Sequence, residues 1–190
     1  MFLWAGVIAV ILGFALGGKL SNLARVEFRG FSYVVASLVM RLIPVFLAGR
    51  LSPSVPLCTG FYVLSYGFLF YGLYLNLTIP EFWLLTLGSF LNFVVIAVNG
   101  GRMPVFPQAI DPSEPSNAIL FSGASLTHQI TDSSTRLFFL CDIFKFSFLQ
   151  KTPKAFSLGD AVMIAGLVPF IIRSMRGRFS TTGPRGTMRD

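Results

Sequence analysis

The chain has 190 residues, of which 54% are hydrophobic, 15% aromatic and 12% charged, with a formal net charge of +7. This is about half the charged fraction of an average soluble domain, and 21 phenylalanines bring more apolar surface than a soluble chain of this length can bury. The composition therefore argues against a soluble domain and predicts an all-α bundle of membrane-spanning helices.

The basic residues lie mainly at the ends of apolar runs, where they orient helices and contact anionic head groups. No basic stripe interleaved with aromatic residues lies outside the apolar runs, so nucleic acid is not expected as a partner. The lipid bilayer is the expected partner. A second copy of the chain or another membrane protein stays open as a further one.

Five apolar runs approach the roughly 20 residues that a helix needs to cross a bilayer. They cover residues 2–18, 30–49, 55–77, 81–99 and 157–173. Prolines, including Pro53 and Pro80, mark short connections, so the second, third and fourth helices should be antiparallel neighbours. Residues 100–156 form one long outer connection, and residues 1–178 as a whole are predicted to be a single membrane domain.

The distribution of basic residues predicts the orientation. The first connection carries Lys19, Arg25 and Arg29, and the C-terminal segment is also strongly basic. Both should therefore face the cytoplasm, which places the N-terminus and residues 100–156 outside. Residues 179–190 are predicted to be a disordered basic tail of a multi-pass protein of the cell membrane.

Polar residues inside the spans are functional candidates, because they are costly in lipid. Arg41 lies in the middle of the second span, and two interpretations stay open. Either it pairs with an acidic residue of the outer connection, or its side chain extends to the membrane interface. Asn92 and Asn99 lie seven residues apart on one face of the fourth span, near Gly88 and Ser89, a pattern that favours interhelical hydrogen bonding over catalysis.

The outer connection contains two further apolar pieces. The first, "AILFSGASLTHQI" over residues 118–130, is too short for a span and is predicted to be re-entrant or to lie on the surface. The second, "TRLFFLCDIFKFSFLQK" over residues 135–151, is predicted to be an amphipathic helix in the head-group plane. Asp132 and Ser133 would cap that helix, and Asp132 would pair with Arg136.

Two aspartates are the catalytic candidates. Asp142 lies in a mainly apolar segment, and Asp160 lies in the first turn of the fifth span, after the N-cap residue Ser157. If the outer ends of the helices hold the two carboxyl groups together, they can share a proton and act as a general acid and base on water. For Asp160, the alternative is an acid that only stabilises the start of its helix.

The other candidates are binding residues. His128 is a proton carrier at the outer face, a lone metal ligand or an ordinary hydrogen-bonded loop residue. The full set is Asn99, Arg102, His128, Asp132, Arg136 and Arg41. With one histidine and two isolated cysteines, Cys58 and Cys141, the sequence predicts neither a metal site nor a cofactor, and it leaves open whether the two thiols are bonded.

Motifs in the second half of the chain resemble those of known families. "CDIF" and "FSLGDAVMIAGLV" are similar to C-terminal motifs of lipoprotein signal peptidases, the intramembrane aspartyl peptidases. This resemblance implies that Asp142 and Asp160 form a catalytic pair, with Arg136 and Asn99 near it. Taken whole, through "GGKL" (17–20), "NGGRMP" (99–104), residues 128–144 and "SLGD" (157–160), the chain resembles a family of uncharacterised bacterial integral membrane proteins, which implies no activity.

Three functions are compatible with these patterns. The expected one is a non-catalytic membrane protein that binds a lipid or small molecule, or serves as a partner subunit. The second is a hydrolase that resembles intramembrane aspartyl peptidases and uses Asp142 and Asp160 at the outer interface. The third is a small transporter or channel, which would need a polar path joining Arg41 and Asn92.

Overall fold

The computed structural model describes residues 1–48, 55–147 and 152–178, and within them the chain is mostly helical. Its helices are α1 (Phe2–Ala15), α2 (Leu20–Leu23), α3 (Phe31–Ala48), α4 (Val55–Tyr74), α5 (Glu81–Val98), α6 (Pro115–Phe121) and α7 (Leu158–Met175). The predicted tail at 179–190, the boundary at Pro53 and the end of the predicted amphipathic helix at 148–151 lie outside the described residues.

Each of the five predicted spans is a helix, but not all of them have the length of a span. Three stretches, Pro56–Tyr74 of α4, Glu81–Val98 of α5 and Leu158–Met175 of α7, are long and apolar enough to cross a membrane. The apolar stretches Phe2–Ala15 and Phe31–Leu47 are shorter. The described part of the chain therefore contains three candidate membrane-spanning helices where the sequence predicted five.

The long helices alternate in direction. At one end of the bundle, the backbone oxygen of Met175 accepts hydrogen bonds from Lys19 N and Asn22 Nδ2, both at 2.8 Å, so α1 and α7 end together. Arg173, near the end of α7, forms an ion pair with Glu81 at the start of α5. Helix α5 therefore runs antiparallel to α1 and α7.

Helices α3 and α4 join the same end. The side chain of Asn76, just after α4, accepts from Arg29 N at 3.0 Å and donates to Arg29 O at 2.7 Å. The rings of Phe28 and Phe82 lie 5.5 Å apart between centroids, which connects the start of α3 with the start of α5. We call this the basic end, because Lys19, Arg25, Arg29, Arg173, Arg176 and Arg178 belong to it. The opposite end, where α5 finishes and α7 begins, is the loop end.

Glycines bring α5 and α7 into close contact. A Cβ atom at Gly166 would lie 2.8 Å from Glu81 O, and one at Gly159 would lie 2.7 Å from Gly88 O. Neither distance leaves room for a methyl group, so this spacing of the two helices requires glycine at both positions. The contact fixes the first turn of α7 against α5 at the loop end.

The outer connection contains strands, which corrects the all-α prediction. Strands β1 (Met103–Val105) and β2 (His128–Ile130) form a parallel pair, with Met103 opposite His128. Strands β3 (Phe144–Phe146) and β4 (Lys154–Phe156) form an antiparallel pair. Residues 118–130, predicted to be re-entrant or surface-lying, divide between the end of α6, a turn and β2.

The amphipathic helix predicted over residues 135–151 is wrong for the described part of that range. Leu137 has a φ of 52°, a left-handed conformation that interrupts a right-handed helix. A 3₁₀ turn over Phe138–Leu140 follows, and then β3. The phenylalanines of β3 alternate around Lys145 with the two-residue period of a strand, and this pattern prevails over the helical spacing of the leucines.

The outer connection packs on the loop end through a small hydrophobic core. The core consists of Tyr66 of α4, Val95 and Ile96 of α5, Met103 of β1, and Leu140 and Cys141. Cys141 and Cys58 are both buried and free, which answers the open question of their pairing: they are not bonded to each other. The core holds the outer connection over the ends of the helices, and the site described next lies at this junction.

Candidate functional site

A cavity of about 280 Å³ opens between the helices at the loop end. Its polar lining comes from Arg41 of α3, Tyr62 of α4, Asn92 of α5, Asp160 of α7, and His128 and Asp142 of the outer connection. Four of the residues singled out from the sequence, Arg41, His128, Asp142 and Asp160, thus share one wall. The antiparallel arrangement brings them together, because each lies toward the loop end of its own helix or in the connection above it.

Asp142 is held by its backbone at the edge of β1. Its N donates to Pro104 O and its O accepts from Phe106 N, both at 3.0 Å. The residue is only 8% exposed, and its Oδ1 atom is buried without a hydrogen-bond partner in the described structure. Burial, and then the nearby charge of Asp160, raise the pKa of Asp142 to about 7.

Asp160 is oriented by hydrogen bonds at the start of α7. Asp160 N donates to Ser157 Oγ at 3.0 Å and Ser157 N donates to Asp160 Oδ2 at 3.3 Å, which is a capping box. Asn92 Nδ2 donates to Asp160 Oδ1 at 2.8 Å, and Ser157 Oγ donates to Asn92 Oδ1 at 2.8 Å. Asp160 is therefore a helix-start acid, as one interpretation expected, and its carboxylate also lines the cavity.

The Asn92 contacts match the interhelical hydrogen bonding that the sequence favoured for this face of α5. Asn92 bonds to Asp160 of α7, and Ser89 Oγ donates to Met163 Sδ of α7 at 3.3 Å. These bonds lie beside the close approach of Gly88 to Gly159. This face of α5 therefore holds the two helices together and positions Asp160 at the same time.

Arg41 does not form the ion pair that one interpretation of the sequence expected. Its guanidinium lies over the rings of Tyr62 and Tyr66, 4.9 and 4.6 Å from their centroids, and Nε donates to Ser65 Oγ at 3.3 Å. Across the described ranges it forms no ion pair with Asp142 or another acid. Contacts between a cation and aromatic faces hold the charge at the cavity wall instead.

The two tyrosines were missed in the sequence. Tyr62 and Tyr66 are four residues apart in α4, so they lie on one helical face, and their rings contact each other at 5.6 Å. That spacing was visible, but nothing in α4 alone indicates that a basic residue of α3 packs against this face. A pair of aromatic residues four positions apart in one apolar run, together with an arginine inside a neighbouring apolar run, is the signal that would have found them.

His128 borders the cavity from β2. Its Nδ1 lies 2.8 Å from Thr127 Oγ1, and its backbone N donates to Ser125 Oγ at 3.2 Å. The residue as a whole is exposed. Desolvation by the protein atoms around the ring lowers the pKa of His128, although the charge of Asp160 acts in the opposite direction.

A second cavity, of about 350 Å³, lies within the outer connection and shares His128 and Asp142 with the first. Its apolar walls come from Val105 of β1, Ile110, Ile119 and Leu120 of α6, and Ala155 of β4. Its other polar lining comes from Asn117, Ser125, Thr127 and Lys154. No pattern in the sequence indicated this cavity, because its walls come from five short segments that only the folded connection brings together.

Four other candidates line neither cavity. Asn99 Nδ2 donates to Arg136 O and Arg136 N donates to Asn99 Oδ1, both at 2.9 Å, so this pair clips the outer connection to the end of α5. Asp132 forms a turn by accepting from Ser134 N at 2.8 Å and Ser134 Oγ at 2.7 Å. These bonds lower the pKa of Asp132. Arg102 is half-buried beside β1.

The helix that Asp132 was expected to cap does not form, so its predicted role is corrected to that of a turn residue. The ion pair predicted between Asp132 and Arg136 is absent from the described structure, where Asp132 Oδ1 accepts from Ser134 and Thr135. No group of three or more histidine, cysteine, aspartate or glutamate side chains within the described ranges could hold a metal ion.

Comparison with known proteins adds a family. The profile of a family of unknown function, DUF5317, matches residues 25–172, a range that includes Arg41, Asn92, His128, Asp142 and Asp160. A protein of Thermotoga maritima described as "Uncharacterized protein" is 26% identical over 179 residues, which cover 94% of each chain. No solved structure matches the chain.

Proposed function

The chain belongs to the DUF5317 family of unknown function, and we propose that it is an integral membrane protein that binds a small ligand in the cavity at the loop end. One observation carries the proposal: Arg41 of α3, Asp142 of the outer connection and Asp160 of α7 line one cavity. Charged side chains near membrane depth are costly. Their convergence on an open space, rather than in a closed ion pair, favours recognition of a ligand.

The proposed topology has five crossings by α1, α3, α4, α5 and α7, with the loop end outside and the C-terminus in the cytoplasm of a bacterial cell. The six basic residues of the basic end support it, because they lie where the positive-inside rule places them. Shorter helices such as α1 cross by local thinning of the bilayer. Exposed apolar side chains such as Phe46 and Trp83, 74% and 61% exposed, would contact lipid or a second membrane protein.

The topology has a direct test in intact cells. Ser133 is exposed in the outer connection, and Arg178 follows α7 at the basic end. A membrane-impermeant maleimide should label Ser133→Cys in intact cells and should label Arg178→Cys only after the membrane is opened. Labelling of Arg178→Cys in intact cells would contradict the proposed orientation.

Ligand binding is tested by native mass spectrometry of the full chain released from bacterial membranes. A small molecule bound in the cavity should appear as a mass adduct on the wild type and be lost in Asp142→Asn. Ala124→Leu changes an exposed residue of the same connection that lines neither cavity, and it should keep the adduct. A wild type without a small-molecule adduct, or equal adducts in all three proteins, would count against the proposal.

A second candidate function is hydrolysis by an acid and a base, and it is favoured by the unequal surroundings of the two carboxyl groups. Asp142 is buried and has a pKa near 7, whereas Asp160 accepts hydrogen bonds from Asn92 and Ser157. Such a contrast between neighbouring carboxyl groups is how enzymes separate an acid from a base. Asp160 would take a proton from a water molecule that attacks the substrate, and Asp142 would give its proton to the leaving group.

Hydrolysis has its own experiment. The full chain in lipid vesicles is incubated with a fluorogenic peptide attached to a lipid anchor, and cleavage is followed between pH 5 and pH 9. Cleavage should be abolished by Asp142→Asn and by Asp160→Asn, and it should decline above pH 7 as Asp142 loses its proton. Wild-type cleavage no faster than that of the two variants would remove this candidate and leave ligand binding intact.

A further inference from the structure

The two cavities adjoin. They share His128 and Asp142, which line each of them. The first cavity lies between helices and carries two carboxyl groups and a guanidinium, and the second lies in the outer connection and has more apolar walls. A ligand that occupies both would lie beside His128 and Asp142, and it would be polar at one end and apolar at the other.

We propose that the ligand is a single-chain amphiphile whose primary amine lies in the first cavity and whose apolar chain lies in the second. This inference rests on the proposed function of the first cavity as a binding site. It adds the chemical class of the ligand and its direction in the site.

The position of the charges sets the direction. The first cavity offers two carboxyl groups, of Asp142 and Asp160, against one guanidinium, and the Arg41 guanidinium already contacts two aromatic rings and a hydroxyl group. A primary ammonium group has three N–H donors for those carboxyl oxygens. Lys154 lines the second cavity and repels a cation there. The amine is therefore directed to the first cavity.

The carboxyl group at the junction is poorly satisfied by the protein. Asp142 is more than nine-tenths buried, and its Oδ1 atom has no hydrogen-bond partner in the described structure. A buried carboxylate without partners is costly, and an ammonium group beside it offsets that cost through an ion pair. Asp142 therefore favours the positively charged end of the ligand. The apolar chain of the ligand would begin beside Asp142.

The second cavity selects the chain. Ile110, Ile119 and Leu120 form its apolar side, and Ala155 of β4 faces the same space. Each methylene group that leaves water for such a surface should raise affinity about fourfold, until the cavity is full. Chain length is thus the variable that separates use of the second cavity from use of the first alone.

The experiment uses the full chain in a neutral maltoside detergent at pH 8, above the pKa of Asp142. Primary n-alkylamines from ethylamine to octylamine are titrated, and Kd is read from isothermal titration. Kd should fall about fourfold per methylene and then level off. The n-alkanols of equal length should bind at least tenfold more weakly, and Asp142→Asn should remove that preference for the amine.

Matched variants assign the chain to its cavity. Ala155→Leu fills the second cavity and should abolish the gain of octylamine over ethylamine, with the Kd of ethylamine unchanged. Ala124→Leu adds the same atoms to an exposed position of the same connection and should behave as the wild type. Leu120→Ala enlarges the cavity and should move the levelling-off to a longer chain, which keeps the test valid if Ala155→Leu does not fold.

The outcomes separate the inference from the function on which it rests. If ethylamine binds but chain length has no effect, or if Ala155→Leu leaves the chain-length gain unchanged, the inference is wrong and the first cavity remains a binding site. If neither ethylamine nor octylamine binds, the amine class is wrong. The mass adduct of the wild type then decides independently whether the cavity binds another ligand.

Discussion

The contact between α5 and α7 offers a quantitative test through Gly159. A Cβ atom at this position would lie 2.7 Å from Gly88 O and 2.7 Å from Asn92 Cγ, so Gly159→Ala must separate the helices or displace Asn92. Overpacking of this kind costs about 1–3 kcal/mol. Displaced, Asn92 would lose its bonds to Asp160 and Ser157, each contributing about 0.6–1 kcal/mol between membrane helices.

The expected net loss is about 1–4 kcal/mol of unfolding free energy, after about 1 kcal/mol is returned by the better helix propensity of alanine. The assay is reversible unfolding of the full chain by dodecyl sulfate in mixed micelles. The control is Gly67→Ala in α4, where an added Cβ has no neighbour within 4 Å, and it should be neutral or slightly stabilising. If Gly159→Ala proves as stable as Gly67→Ala, the close contact of α5 and α7 is refuted.

Three further predictions concern titration, thiol access and the basic end. The pKa of Asp142 rises from 3.8 to about 7 on folding. The stability that this residue contributes is therefore complete below pH 4 and is lost as the pH rises to 7, by up to about 1.4 kcal/mol per pH unit. Denaturant unfolding should show that slope in the wild type and lose it in Asp142→Asn. Iodoacetamide at pH 8 should alkylate neither Cys58 nor Cys141 in the folded protein, because both are buried and burial raises the pKa of Cys141 to about 11. Mass spectrometry should find both cysteines alkylated after denaturation. Rapid alkylation of Cys141 in the folded protein would contradict its buried position. Glu81→Ala breaks the ion pair with Arg173, whose side chain is 39% exposed. The unfolding free energy should fall by about 1–3 kcal/mol, which is below the range for fully buried pairs. An unchanged unfolding midpoint would show that the pair adds nothing to stability.

The helices were predictable because long apolar runs follow a simple pattern. The runs at 30–49 and 81–99 correspond to Phe31–Ala48 and Glu81–Val98 within a residue at each end. Helix α5 begins after Pro80 and ends before Gly100, whose φ is 74°, as proline and glycine positions predicted. The first run fell short of its prediction, since α1 stops at Ala15 and the chain then turns at Gly17, whose φ is 78°.

The outer connection was predicted less well because its structure depends on distant pairing. Strand β1 pairs with β2 across more than twenty residues, and each has only three residues. Strands that short carry no readable periodicity. The segment around Leu137 has leucines at helical spacing, but contacts of β3 with β4 and of Asp142 with β1 decide its conformation.

The sequence singled out several residues that line the cavity, but not the cavity itself. Asp142, Asp160, His128 and Arg41 stood out because polar residues are rare in this sequence, and the cavity brings these four together. Asn99 and Arg136 stood out for the same reason but make a structural contact with each other. Rarity identifies a polar residue that needs a partner, and only the fold tells whether that partner is another residue or an open cavity.

The Asn99–Arg136 contact also bears on how the outer connection opens. The side-chain amide of Asn99 bonds to both the backbone N and the backbone O of Arg136, 37 positions away. These two hydrogen bonds close the intervening chain into a loop. The apolar walls contributed by β1, α6 and β2 all lie inside that loop. We therefore expect these segments to detach from the helix bundle together, as one cooperative unit, rather than strand by strand. A single opening equilibrium would then control entry of a ligand to the cavity between the helices.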